Sequence, residues 1–313
     1  MTPHYDFEVI CVGNAKIDSF LTLREANNHL RLMEETNELC IKFGEKITVD
    51  KTEILLGGNA ANVAVGLSRF GLKAGLVAEI GRDEFAQKII NTLFSEKVDI
   101  SNVKQTEGQQ SSFSTIVNFK GERTIFSEHV KRAHDFNFGN ISTKWVYLTS
   151  LGEEWKNAYR YTSDFVKKTG SRLAFNPGTL QIAEGLNNIE NVLGITDVLF
   201  VNKEEAITIL DLKNQILSIE DLLKGLQKLG PKIVAITDGK NGSFAIDSLG
   251  NISKKGIVEA HVIEKTGAGD AYSSGFLSAL INNNSIADCM DLGAKNSASV
   301  IGKVGAQTGL LYV

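Results

Sequence analysis

Short, continuously apolar runs alternate along this chain with segments of helical periodicity, and that alternation constrains the fold more than any other feature. The runs 7-FEVICVG-13, 75-GLVAEIG-81, 145-WVYLTSLG-152, 172-RLAFNPG-178, 197-DVLFVNK-203 and 232-KIVAITDG-239 read as strands. Strands this apolar are buried on both faces, which requires helices above and below the sheet. Helical patterns supply them over 59–71 and 83–97, and near 155–169, 180–193, 203–211 and 218–229. The expectation is an α/β fold: one domain over 1–313, with a doubly wound, mainly parallel sheet and helices on both faces. Two stretches break the rhythm. Residues 40–58 and 111–128 alternate like half-exposed hairpin strands, the second turning at 120-KGER-123. They predict a small β-sheet inserted as a lid, over roughly 18–56 and 110–130.

Bulk properties narrow the function. The 313 residues are 42% hydrophobic and 22% charged, enough for a sizeable core. A net charge of −4 without a basic run argues against nucleic acid as the main partner. The sequence has no apolar run of membrane-spanning length and no secretion-signal pattern at its start, so no membrane partner is expected. Cys11, Cys40 and Cys289 lie far apart, which fits reduced thiols in a cytoplasmic protein, with Cys11 in a buried strand. P-loop, dinucleotide-binding, zinc and serine-hydrolase signatures are all missing. His129 and His134 read as surface or loop residues.

The chemistry concentrates in short glycine-rich stretches. In 264-EKTGAGDAYSSGF-276, Gly267, Ala268 and Gly269 precede Asp270 at the start of an apolar helix. Glycines at a helix N-terminus let an anion approach unpaired N–H groups, so the turn suits a phosphate. An acid beside that phosphate makes sense as a base for an attacking hydroxyl; the alternative is an ordinary helix cap. In 57-GGNAANVAVGLSRFG-71, Gly57, Gly58 and Asn62 suit sugar hydroxyls, which need donors and acceptors, whereas Asn59 reads as a cap. Asp18 lies just beyond the first strand, where doubly wound sheets bind ligands, and Lys16 reads as a solvated lysine. Asn202 and Glu205 share a helix face and could organise Mg²⁺ or merely cap the helix. In 237-TDGKNG-242, Thr237, Gly239 and Gly242 end a strand and turn into the next.

These motifs, in this order and over nearly the whole chain, resemble the ribokinase-like PfkB carbohydrate kinase family. The resemblance implies an ATP- and Mg²⁺-dependent kinase acting on a hydroxymethyl group of a small sugar or sugar-like alcohol. Nucleoside and phospho-sugar acceptors, and a non-catalytic sugar- or nucleotide-binding protein, are the alternatives. A stacking Phe113 or Phe126 would favour a nucleoside, and Lys16, Arg123, Lys131 or Arg132 a phosphorylated acceptor. It further implies Asp270 as catalytic base, Gly267, Ala268 and Gly269 as anion hole, and Asn202 and Glu205 as the Mg²⁺ motif. Thr237, Gly239, Gly242 and Asn296 would contact nucleotide, and Asp18, Gly57, Gly58 and Asn62 the sugar. A homodimer through the lid is also implied. One departure stands out: the usual Asp-Thr before the glycine turn is Glu264-Lys265 here. The monovalent-cation (K⁺) site implied there is thus altered or absent, with Lys265 either replacing the ion or pointing to solvent.

Overall fold

The computed structural model describes residues 5–23, 29–36, 38–120, 122–128, 130–212 and 217–313. Gly121 of the expected turn, and His129, lie outside the described residues. In chain order, the strands are β1 (Phe7–Val12), β2 (Lys16–Leu23), β3 (Leu30–Met33), β4 (Glu38–Ile41), β5 (Lys51–Gly57), β6 (Ala74–Gly81), β7 (Asp99–Thr106), β8 (Phe113–Phe119) and β9 (Glu122–Ser127). They continue with β10 (Thr143–Leu148), β11 (Arg172–Phe175), β12 (Val198–Asn202), β13 (Ile233–Thr237), β14 (Ser243–Ile246) and β15 (Ile252–Lys255). The helices are α1 (Asn59–Arg69), α2 (Glu84–Ser95), α3 (Trp155–Thr169), α4 (Thr179–Ala183), α5 (Glu190–Leu193), α6 (Lys203–Ile209), α7 (Ile219–Gln227), α8 (Ala268–Ile281) and α9 (Ile286–Ile301).

Nine strands form the main sheet in the order β15-β14-β13-β12-β11-β10-β1-β6-β7. All neighbours pair in parallel except at the β13-β14-β15 edge. The alternation of side chains explains why the strands are apolar throughout. Val9 and Cys11 of β1 join a core with α1, α2, α8 and α9, while Ile10 and Val12 join the opposite core with α3, α6 and α7. The sheet is therefore doubly wound, as expected. Strand order reverses at β1, and ligands bind such sheets beyond the carboxyl ends of the strands at that reversal.

A second sheet, β5-β2-β8-β9, carries the lid-like segments. Here the expectation needs correction. Residues 40–58 are not a hairpin: β4 pairs with β3, and β5 pairs with β2. The other pairings are β2 with β8 in parallel and β8 with β9 antiparallel. Asp18 consequently lies within a strand rather than in a loop after β1. Helix 180–193 also breaks, into α4, a 3-10 turn at Leu186–Asn188 and α5, where Gly185 takes a φ of 97°.

Helices α1 and α8 pack closely because small residues face each other. A Cβ on Gly66 would overlap Ser274 of α8. That close approach brings the two helix N-termini together at the carboxyl side of the sheet. No helix among the described residues is long and apolar enough to cross a membrane.

Candidate active site

A cavity of about 920 Å³ opens where the starts of α1 and α8, the β12–α6 junction and the lid strands meet. Asp18, Gly58, Asn62, Asn202, Glu205, Thr237, Gly239, Gly267, Ala268, Gly269 and Asp270 all line it. A smaller cavity of about 200 Å³ adjoins it, lined by Gly242 and sharing Thr237, Gly239, Ala268 and Gly269.

Asp270 is the third residue of α8, behind Gly267 in the left-handed region at a φ of 79°. A Cβ at Gly267 would also collide with Ala306, so the turn has no room for a side chain. Asp270 is 8% exposed, and its Oδ2 accepts a 2.8 Å hydrogen bond from Asn62 Nδ2. Burial pushes its carboxyl up to about 7, against the lowering effect of that hydrogen bond; the negative charge of Asp18 adds to the rise. A carboxyl titrating there can take up or release a proton near neutral pH.

Asp18 sits in β2 with its side chain buried. Its Oδ1 has no hydrogen-bond partner among the described residues, although Lys16 Nζ lies 3.9 Å away. Burial raises its carboxyl, opposed by Lys16 and the Ser114 hydroxyl. Gly57 contributes by absence: a Cβ there would fall on Asp18 Oδ2. Gly57 itself does not line the cavity. Lys16 is not solvated as the sequence suggested, since its Nζ donates to Ser114 Oγ at 2.8 Å and to Ser127 Oγ at 3.2 Å.

Asn202 and Glu205 form a reciprocal capping box. Asn202 Oδ1 accepts from the Glu205 N–H, and Glu205 Oε2 from the Asn202 N–H, both at 2.8 Å. Each residue nevertheless lines the cavity, and burial raises the Glu205 carboxyl. Asn59 is the first residue of α1, not its cap; Gly58 holds that position with a φ of 92°.

Asn296 departs from expectation. It lines neither cavity and is wholly buried, its Nδ2 donating to Ala271 O and Ser274 Oγ while its Oδ1 accepts from the Leu311 N–H. It ties α9 to α8 and to the C-terminal segment, and its neighbour Ser297 lines the cavity instead. Lys265 is half-exposed and pairs with the exposed Glu122 of β9, as the solvent-facing reading allows. Glu264 is buried, accepts from the Thr266 N–H at 2.6 Å and lies 3.9 Å from Arg123 Nε of the same lid strand. His134 lies in a loop, as expected, but is buried rather than at the surface. Sequence reasoning missed Asn176 as a cavity-lining residue. It directly follows β11, so the rule that ligands sit at strand carboxyl ends could have found it.

A family model described as pfkB family carbohydrate kinase matches residues 19–311. The chain belongs to this family. It is a carbohydrate kinase, a phosphotransferase acting on an alcohol group. The nucleoside kinase of Methanothermobacter thermautotrophicus is 24% identical over 311 residues, 97% of this chain and 93% of that protein. The ribokinase of Haemophilus influenzae is 26% identical over 287 residues, 86% of this chain and 88% of that protein. Among solved structures, a Methanocaldococcus jannaschii nucleoside kinase of the ribokinase family matches with a TM-score of 0.78 at 22% identity, covering 99% of this chain and 96% of that one. That likeness shows the ribokinase-like fold, as the motif order implied.

The raised Asp270 carboxyl has a cost in stability. Its pKa rises from 3.8 to about 7 on folding, so between these values the folded chain binds more protons than the unfolded one. Stability contributed by the protonated form is thus lost as pH rises through this window. Asp270→Asn is expected to be more stable than the parent at pH 8, by on the order of 1–4 kcal/mol, with the gap closing near pH 4. Urea unfolding at the two pH values measures it; a gap independent of pH would contradict the raised carboxyl.

Proposed function

We propose that this kinase transfers the γ-phosphoryl group of ATP, bound with Mg²⁺, to a hydroxymethyl group of a small sugar or sugar-like alcohol. The observation that carries the reading is the buried Asp270 carboxylate at the start of α8, held by Asn62 and facing the large cavity. In this reading Asp270 takes the proton of the acceptor hydroxyl as its oxygen attacks the phosphorus in line. Its near-neutral titration suits the task, because a stronger acid would be a weaker base.

Gly267, Ala268 and Gly269 suit an anion hole. First-turn N–H groups have no partner within the helix and carry the positive end of its dipole. Space around Gly269 is open, since a Cβ there would meet nothing within 4 Å. Asn202 and Glu205 suit a Mg²⁺ ion held through water. No cluster of three or more metal-binding side chains occurs among the described residues, which fits an ion ligated mainly by water and phosphate. Mg²⁺, when bound, neutralises charge on the transferred group. Thr237, Gly239, Gly242 and Ser297, which line the smaller cavity, suit the rest of the nucleotide.

For the acceptor, Asp18 Oδ1, buried and without a hydrogen bond among the described residues, offers an acceptor to a hydroxyl, with Gly58 and Asn62 beside it and Gly57 leaving room. Neither Phe113 nor Phe126 lines the cavity; Phe113 packs on Phe85 instead, at 5.3 Å between ring centroids. Lys16 and Arg123 do line it, but each lies 3.9 Å from an acid, Asp18 for Lys16 and the buried Glu264 for Arg123. Both facts favour a neutral free sugar over a base-bearing or phosphorylated acceptor. The sheet β5-β2-β8-β9, whose strands run from Lys16 to Gly57 and from Phe113 to Ser127, acts as a lid that excludes water. Its β9 edge is exposed along its length, with Phe126 uncovered outside the cavity, which supports a homodimer joined through the lid.

Asp270→Asn is expected to lower kcat by ~10²–10⁴-fold on the best acceptor of a pentose, hexose and nucleoside panel, with little change in nucleotide affinity. Near-normal turnover would end the assignment. Glu205→Gln is expected to raise the Mg²⁺ concentration giving half-maximal rate, and an unchanged titration would leave the pair with only its capping role. Light scattering at tens of micromolar is expected to give twice the chain mass; a strictly monomeric mass would refute the lid dimer.

A further inference from the structure

Three buried amide and carboxyl side chains form a line that ends at Asp270. Gln307 Nε2 donates to Asn62 Oδ1 at 2.9 Å, and Asn62 Nδ2 donates to Asp270 Oδ2 at 2.8 Å. Gln307 is 8% exposed and lines neither cavity, so it does not touch a ligand there. We propose that Gln307 is a positioning residue: it fixes the orientation of the Asn62 amide and so keeps a donor, rather than an oxygen, against Asp270. The catalytic meaning of this rests on Asp270 being the base; the hydrogen-bond line itself does not.

The direction of the line follows from donor and acceptor chemistry. An ionised carboxylate only accepts, so Asn62 must turn Nδ2 toward it. Asn62 Oδ1 then faces away and, being buried, needs a donor. The Gln307 amide supplies one. Without it, the Asn62 amide could rotate by half a turn and set Oδ1 against the Asp270 oxygens. Gln307 is itself held from behind. Arg69 Nη1 donates to Gln307 O at 2.8 Å and to Leu310 O at 3.0 Å, while Glu96 receives Arg69 Nε at 2.8 Å. Asn62 and Arg69 both lie on α1, so one rigid helix grips the C-terminal segment and presents its amide to the base.

Loss of the Asn62 donor removes an interaction that favours the ionised Asp270, so its carboxyl titrates higher. The charged and titratable groups around it are Asp18 and Lys16 of β2, Glu205 of α6 and Tyr147 of β10. None of these belongs to the Gln307 line, so a change on the neutral substitution Gln307→Met reads the amide alone, whereas Gln307→Glu adds a like charge as well.

The test uses the full chain with ¹³C-labelled aspartate carboxyls and ¹⁵N-labelled side-chain amides, alongside kinetics. In Gln307→Met, which keeps length and packing, the Asp270 carboxyl is expected to titrate about 0.5–1 unit higher. Its kcat at pH 7 is expected to fall about 3–10-fold, recovering toward pH 9, with the nucleotide KM within about twofold. Gln307→Glu, whose carboxylate can only accept, is expected to lose more than Gln307→Met despite its similar shape. An unmoved Asp270 titration in either folded variant overturns the proposal. A moved titration with an unmoved kcat–pH profile upholds the hydrogen-bond line and refutes Asp270 as the base. The unmodified chain gives a check without variants: the Gln307 side-chain amide signal should shift with the Asp270 titration, and indifference to it overturns the line.

Discussion

Much of this structure depends on two helices being able to touch. The Gly66–Ser274 approach of α1 and α8 lets both helices start at the same place, beyond the carboxyl ends of the strands. From that convergence follow the hydrogen bond between Asn62 and Asp270, the burial of the carboxyl and its near-neutral titration. A larger residue at 66 would separate the helices and with them the Asn62 donor and the Asp270 carboxyl. Small residues at this crossing are what let the Asn62–Asp270 contact form.

The main sheet was legible in the sequence because burial on both faces leaves an unmistakable mark. Strands such as β1, β10 and β12 are apolar on both faces over most of their length, so no choice of face had to be made. The lid was legible only in part. Its strands are half-exposed, and β5 looked like a partner for β4, its neighbour in sequence. It pairs instead with β2, whose polar KIDSF stretch hid a strand. Pairing partners come from tertiary packing, which local alternation does not encode.

The site was legible where backbone chemistry is the signal. The turn at Gly267 and the capping box at Asn202 announce themselves through residues that few other conformations favour. Residues that act through others left no such mark. Gln307 reads as a polar residue in a C-terminal stretch, and Asn296 as a cavity residue when it is a tie between helices. Lys265 shows the same limit, because its partner Glu122 is 143 positions away in the chain.

The parallel pairing of β2 with β8 has a consequence for how the chain folds. Lys16 and Ser114, bonded across that pairing, are 98 residues apart, and β6, α2 and β7 of the main sheet lie between them. A contact of such separation must wait on loop closure, which the folding of the intervening strands and helix supplies. The wall over Asp18 therefore closes only when residues far apart in the chain come together, and the buried surroundings that raise the Asp18 carboxyl depend on that closure. A chain that has formed the turn at Gly267 but not this closure still lacks a wall to keep water from it.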